Sequence, residues 1–383
     1  MKGLIFLMLF FSINVESTAF GYVLVVGLTT LIFLRLVVNA RIYDMNKSFF
    51  LTFLCISCVH VSYIGLGIFK GANELDAIRN FSGFLTILPF IAAVSILRVD
   101  SEVLLIQTKR ALILSVPLLI YSYYISPSFY VADTAASFGQ FRSIFSFGGF
   151  LYIGLCLVHC SRGRLECGGR SPNYRLGFKT FVVFLVMAIV STFSKVILIF
   201  TLVVIWFAAP KRIIVATAFS IFLLPLLMTT ENLGQLAIFL EDYGSGSAGN
   251  LVRINQLGLM LNDLSIFGSG LGVEVPGYDH RTQSYGFELT YINMLHKFGI
   301  FSIVYYVFFL IQIPFILNRL LRKTLKDHDL CYITIFPVIV ASVANPMLSH
   351  PLVIFYVSVW WVFEYRSHSV ALNTSQLGGN TIA

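Results

Sequence analysis

Residues 298–317 read FGIFSIVYYVFFLIQIPFIL, a run of twenty residues without a charged side chain. A helix needs about 20 apolar residues to cross the hydrocarbon core of a bilayer, whereas strands buried in a soluble α/β protein run for about 4–8 residues. Comparable apolar runs recur along the 383-residue chain, and only 11% of its residues are charged, against about 25% in a typical soluble domain. The sequence therefore predicts an all-α polytopic membrane protein.

Twelve such segments are predicted to cross the membrane as helices. Basic residues concentrate in alternate connections, most densely in residues 161–175 and 318–327. Cytoplasmic connections carry the excess of Lys and Arg in membrane proteins, so both termini are predicted to be cytoplasmic. A single long helix over residues 176–209 would reverse everything after it, and the charge bias favours instead a turn near residues 191–195. The predicted spans are Gly3–Glu16, Ala19–Val38, Phe49–Phe69, Phe81–Leu97, Ala111–Ser126, Ser143–Cys160, Leu176–Thr192, Ser194–Ala209, Ile213–Thr229, Phe298–Leu317, Leu330–Ala344 and Leu352–Glu364.

The net charge of +8 does not indicate nucleic-acid binding, because short basic clusters between apolar runs are those that orient membrane helices. The predicted spans leave one long loop on the non-cytoplasmic side, and its regularly spaced apolar residues predict an ordered loop with short helices. Loops this long are usually functional when they are ordered. The predicted organisation is nine helices in residues 1–230, the loop in residues 231–297, three helices in residues 298–366 and a cytoplasmic tail in residues 367–383.

The loop contains three closely spaced glycines, Gly268, Gly270 and Gly272. One interpretation is a tight turn that needs positive φ angles. The other is a backbone that approaches a ligand closely, with its amides directed at phosphate. No strand–helix unit surrounds the glycines, so they are not a dinucleotide-binding fingerprint.

Basic residues are sparse on the predicted outer side, and four of the cations there are candidates for one binding site. Each could reach lipid headgroups, and together they could bind a diphosphate, for which Arg is suited by its bidentate geometry. One of them, Arg253, lies at the edge of the helical face formed by Leu251, Ile254, Leu257 and Leu261. The four cations are Arg142, Lys195, Arg253 and Arg281.

Two residues of the loop are candidate general bases. Glu288 opens an amphipathic helix on which Tyr291, Leu295 and Phe298 share a face, so it is either a favourable charge at a helix N-terminus or a base for an acceptor hydroxyl. His280 is the second candidate. His296, in contrast, is expected at the membrane interface.

Between residues 141 and 300 the chain carries FRSIFSF (141–147), STFSK (191–195), FGSGLG (267–272) and LHKFGI (295–300). This pattern resembles the O-antigen polymerase/O-antigen ligase superfamily of integral membrane glycosyltransferases. The resemblance implies a GT-C-like architecture in a bacterial inner membrane and a metal-independent reaction without a cofactor. It also implies undecaprenyl-diphosphate-linked oligosaccharide as substrate and a chain-length regulator protein as partner.

On this resemblance the four cations would stabilise the lipid diphosphate leaving group, and Glu288 or His280 would accept the proton of the acceptor hydroxyl. Lys195 stands where the family usually has Arg, and Glu288 stands where ligases commonly have His. The second departure favours a polymerase. Two alternatives stay open, namely a ligase that transfers the glycan to lipid A-core and a non-enzymatic flippase for the same lipid-linked oligosaccharide. A transporter is expected to show internal repeats and a site near the membrane midplane, whereas the polar residues here concentrate in one outer loop.

Overall fold

The computed structural model describes residues 2–13, 47–88, 248–278, 289–343 and 348–378, apart from residues 323 and 325, with scattered positions between 27 and 114. Within these residues every regular element is an α-helix or a 3₁₀-helix, and no strand occurs. The helical class is therefore confirmed for the described part of the chain. The α-helices are α1 (Lys2–Ile13), α2 (Lys47–Phe69), α3 (Glu74–Arg79), α4 (Ala248–Asn262), α5 (Thr290–Phe298), α6 (Ser302–Leu310), α7 (Gln312–Leu321), α8 (Asp327–Ala341) and α9 (Pro351–Gly378).

Two helical stretches are long and apolar enough to cross a bilayer, judged by length and composition. They cover Phe50–Phe69 and Thr290–Arg319, and a shorter apolar helix covers Pro351–Tyr365. These stretches overlap three of the predicted spans, including the uncharged run at residues 298–317. The count of twelve spans stays a prediction, because the segments between residues 115 and 230 lie outside the described residues.

The helix predicted to lead from the loop into the next span is present as α5. It is followed without a gap by a 3₁₀ turn, Gly299–Phe301, and by α6. Gly299 has a φ of 53°, so the chain bends there and then continues as helix. At the other end, α9 continues through Glu364 to Gly378, so most of the predicted tail is helical.

Aromatic rings hold one end of this bundle together. The ring of Phe298 lies 4.4 Å from that of Tyr305, 5.2 Å from that of Tyr63 and 5.9 Å from that of Phe81, measured between centroids. Tilted and edge-on aromatic pairs at such distances contribute about 0.5–1.5 kcal/mol beyond their buried area. Phe298 is fully buried, so this one side chain joins α2, α5, α6 and the turn after α3.

An ion-pair network joins α7, α8 and α9 at their other end. Arg319 donates to Asp329 Oδ1 at 2.7 Å and also to Glu364 Oε1. His328 Nε2 lies 2.7 Å from Glu364 Oε2. Burial lowers the pKa of His328, so its neutral ring donates to the carboxylate. The network attaches the basic connection at residues 318–327 to the last helix.

Candidate functional site

The two loop segments that carry the family resemblance, 267–272 and 295–300, lie against each other. The amide of Ser269 donates to the carbonyl of His296 at 2.8 Å, and that of Gly270 donates to the carbonyl of Lys297 at 3.0 Å. In the opposite direction, the amide of Ile300 donates to the carbonyl of Ile266 at 2.8 Å. The segment 265–273, called here the glycine loop, is therefore attached by its main chain to the end of α5.

All three glycines of this loop have positive φ angles, of 76°, 91° and 76° in chain order. A Cβ atom on Gly268 would lie 2.6 Å from the amide nitrogen of Gly299, and one on Gly270 would lie 2.5 Å from that of Gly67. On Gly272 it would lie 2.5 Å from the amide nitrogen of Ala77. The loop thus packs directly on the backbones of α2 and α3 and of the turn after α5, which is the geometry of the tight-turn interpretation.

Several polar groups of the glycine loop are hydrogen-bonded within the protein. The amide of Gly268 donates to the carbonyl of Ser265. Side chains from α2 and the residue after it donate to the loop carbonyls, with Tyr63 reaching Phe267 at 2.7 Å and Lys70 reaching Gly268 at 3.1 Å. Lys297, itself fully buried, donates to the carbonyl of Val273. The loop amides of 268, 269, 270 and 271 all donate to main-chain carbonyls, so these four do not point at a phosphate.

A histidine beside this loop joins two polar side chains. Nε2 of His296 lies 2.8 Å from Oδ2 of Asp263, and Nδ1 lies 3.1 Å from Oγ of Ser269. The imidazole of His296 has no exposed surface, whereas the carboxylate side chain of Asp263 is 41% exposed. His296 is enclosed within the protein, because the face of α5 that carries it is covered by the glycine loop. Its position at the membrane interface stays a prediction.

The structure contains the predicted helix that carries Arg253, as α4. Its buried face holds Gln256 and Met260, while Ile254 is 66% exposed and Leu261 is 49% exposed. Met260 packs with Val275, which lies just after the glycine loop, and with Ile292 of α5. Two residues of the predicted apolar face, Ile254 and Leu261, are therefore exposed and not buried. Arg253 lies one turn before Gln256 and is half-buried.

Of the predicted cations and general bases, Arg253 is the one that lies among the described residues. Arg253 lies in the first half of α4, and Asp263 directly follows the last residue of this helix. They are ten residues apart, which corresponds to about 15 Å along a helix axis. The long side chain of Arg253 can shorten this separation. The predicted residues that the structure does not describe are Arg142, Lys195, His280, Arg281 and Glu288.

Sequence reasoning missed Asp263 and Ser269, and it gave His296 no role in the site. A signal for them was present, because His296 and Lys297 stand at the start of an uncharged run of twenty residues. Ionisable side chains next to or within apolar spans are expensive to bury and usually have a specific partner. The partner itself, at the end of another helix, could not be read from the sequence.

Among the described residues one group could offer ligands to a metal ion. Donor atoms of His328, Asp329 and Glu364 lie within 4.8 Å of one another. Both carboxylates are already paired with Arg319, and Lys326 lies 3.5 Å from Glu364. Two cations thus balance two carboxylates, which favours the ion-pair network over a metal site.

Comparisons of the chain with protein-family models, with curated proteins and with solved structures found no match. The resemblance to the O-antigen polymerase/ligase superfamily therefore depends on the short segments quoted above.

Proposed function

We propose that this chain is a polytopic glycosyltransferase of a bacterial inner membrane, an O-antigen polymerase with twelve spans and both termini in the cytoplasm. It joins undecaprenyl-diphosphate-linked repeat units into polysaccharide at the periplasmic face. One observation carries the proposal: FGSGLG and LHKFGI, two of the segments that resemble the family, pack on each other at the start of an apolar stretch long enough to cross a bilayer. A chain-length regulator protein would be its partner.

The reaction transfers the growing glycan from its lipid diphosphate to a sugar hydroxyl of a second lipid-linked unit. The acceptor oxygen forms a bond to the anomeric carbon, the bond from that carbon to the diphosphate breaks, and the electron pair leaves with the lipid diphosphate. Cations aimed at the leaving group stabilise this developing charge. Arg253 is the described candidate for this role, with Arg142, Lys195 and Arg281 as the others, while Glu288 or His280 would accept the acceptor proton.

Deletion of the gene in its host tests the proposal. The lipopolysaccharide is expected to show core that bears a single repeat unit, with the ladder of longer chains lost, because flipping and ligation continue without polymerisation. The measurement is a gel of lipopolysaccharide from the deletion strain and from the same strain complemented with the wild-type gene. Core without any repeat unit would contradict the polymerase and favour the ligase or the flippase.

Replacement of Arg253 by Ala is expected to lower the polymerisation rate about 10–100-fold, because a hydrogen bond to a charged group is worth about 1.5–3 kcal/mol. The rate is measured in membranes from the complemented deletion strain, as lipid-linked repeat units are converted to longer chains, and is divided by the amount of protein. Arg79→Ala is the matched control, since Arg79 is an exposed arginine on the same predicted side. Equal rates for the two variants would remove Arg253 from the site.

A further inference from the structure

The group formed by Asp263, His296 and Ser269 has its exposed end at the carboxylate. Asp263 is 41% exposed on its side chain, His296 is fully buried and Ser269 is nearly so. In a Ser–His–Asp hydrolase the serine faces the substrate and the aspartate is buried behind the histidine. The order is reversed here, so the group that can meet a substrate is the carboxylate of Asp263.

The buried members of this group support His296 in either protonation state. With a neutral ring, Nε2–H donates to Asp263 and Nδ1 accepts from the Ser269 hydroxyl. If Nδ1 also carries a proton, the Ser269 oxygen can accept from it and donate its own hydrogen to the carbonyl of His296, which lies 3.1 Å away. Buried polar groups that stay fully hydrogen-bonded avoid a penalty of about 1–3 kcal/mol each. When the charge on Asp263 changes, the buried His296 and Ser269 can therefore both remain hydrogen-bonded.

Exposed apolar side chains border Asp263. Leu264, Ile266 and Phe267 follow it in the chain. Ile266 is hydrogen-bonded through its carbonyl to the amide of Ile300, and the exposed apolar surface continues through Ile300 to Ile303 of α6. α6 belongs to the apolar stretch long enough to cross a bilayer. In the proposed topology, this surface would place Asp263 at the level of the lipid headgroups. Lipid-linked sugars present their diphosphate and first residues at that level.

We propose that Asp263 is the general base of the glycosyl transfer and that His296 is the positioning residue that orients it. This inference rests on the proposed function. The Asp263 carboxylate accepts the proton of the acceptor hydroxyl as its oxygen bonds to the anomeric carbon, and the lipid diphosphate leaves with the electron pair of the broken bond. Nε2–H of His296 holds the carboxylate in one orientation, and in this assignment neither Glu288 nor His280 is needed as the base.

The test compares Asp263→Asn with wild type in the deletion strain. Loss of a general base lowers rates about 10²–10⁴-fold, so we expect the ladder to be lost and the rate per molecule of protein in isolated membranes to fall at least about 100-fold. Glu274→Gln is the matched control, because it removes an exposed carboxylate from the same segment, and it is expected to give a full ladder. If the Asn variant does not accumulate in the membrane, Asp263→Ala takes its place.

A full ladder from Asp263→Asn at normal abundance would overturn the assignment and leave the polymerase proposal standing. Failure of the polymerase proposal is recognised separately, from the gel of the deletion strain itself. The two failures are therefore distinguishable.

The role of His296 is tested by non-additivity. His296→Gln is expected to lower the rate about 10-fold, while the double variant with Asp263→Asn is expected to be no slower than Asp263→Asn alone. Residues that act through one another show such non-additive effects. Independent, multiplying effects would mean that His296 does not act through Asp263, and would overturn its assignment as a positioning residue.

Discussion

Gly67→Ala is expected to prevent α2 from packing on the glycine loop and to destabilise the fold by at least about 3 kcal/mol. A Cβ atom at this position would lie 2.8 Å from the carbonyl carbon of Leu271 and 2.9 Å from its amide nitrogen. Over-packing against side chains costs about 1–3 kcal/mol, and here the obstacle is backbone, which cannot change rotamer. The amide of Leu271 also donates to the carbonyl of Tyr63 at 3.0 Å, so any movement of the loop breaks this bond.

Gly65→Ala is the matched control on the same helix. No atom lies within 4 Å of a Cβ at Gly65, and Ala is favoured over Gly in a helix by about 1 kcal/mol in water. The measurement is thermal unfolding of the purified protein in detergent, followed by tryptophan fluorescence. Gly67→Ala is expected to unfold at a clearly lower temperature than wild type, and Gly65→Ala at the same or a higher temperature. Equal midpoints would mean that the glycine loop does not lie on α2.

Among the described residues, two helices predicted from apolar length alone lie where they were predicted. A run of apolar residues long enough to cross a bilayer has few alternatives to a helix, since its backbone groups must be paired within the segment. The span predicted at Phe49–Phe69 corresponds to α2, and the span predicted at Phe298–Leu317 lies within the helical stretch from α5 to α7. The turn at Gly299 inside this stretch was not predicted, because it depends on the glycine loop that packs on it.

Which side of a helix is buried could not be predicted in the same way. In water an apolar face indicates the core. On α4, which belongs to the predicted loop and not to a membrane span, Ile254 is exposed and Gln256 is buried. The face with Gln256 is the buried one because Met260, one turn further on, packs with Val275 and Ile292. The helix itself was predicted from the sequence, but the face that it buries could be identified only from the structure.

The candidate site depends on contacts between residues distant in the sequence. Asp263 and His296 are 33 residues apart, and they meet because the glycine loop turns between them with three residues at positive φ. The sequence indicated the glycines and left two interpretations of them. The choice between these interpretations depends on the carbonyls of α2 and α5 that receive the loop amides.

Arg319→Ala is expected to destabilise the protein by about 3–5 kcal/mol, because removal of one partner of a buried ion pair leaves an uncompensated charge. Asp329 is fully buried, and the side chains of Arg319 and Glu364 are only 15% and 11% exposed. The guanidinium reaches both carboxylates at once, from α7 to α8 and α9. Arg319→Lys retains the charge without the planar fork, so its stability is expected to fall between those of wild type and the Ala variant.

Arg322→Ala is the matched control, since this exposed arginine lies in the same basic connection and its loss changes the net charge equally. It is expected to leave the unfolding midpoint in detergent within the error of the wild-type value. The double variant Arg319→Ala/Glu364→Ala isolates the interaction between the two residues. Because both single variants lose this same interaction, the double variant is expected to be destabilised by less than the sum of the two single effects. Equal midpoints for Arg319→Ala and Arg322→Ala would mean that the packing of α8 on α9, and not the buried charges, determines how the last helix is attached.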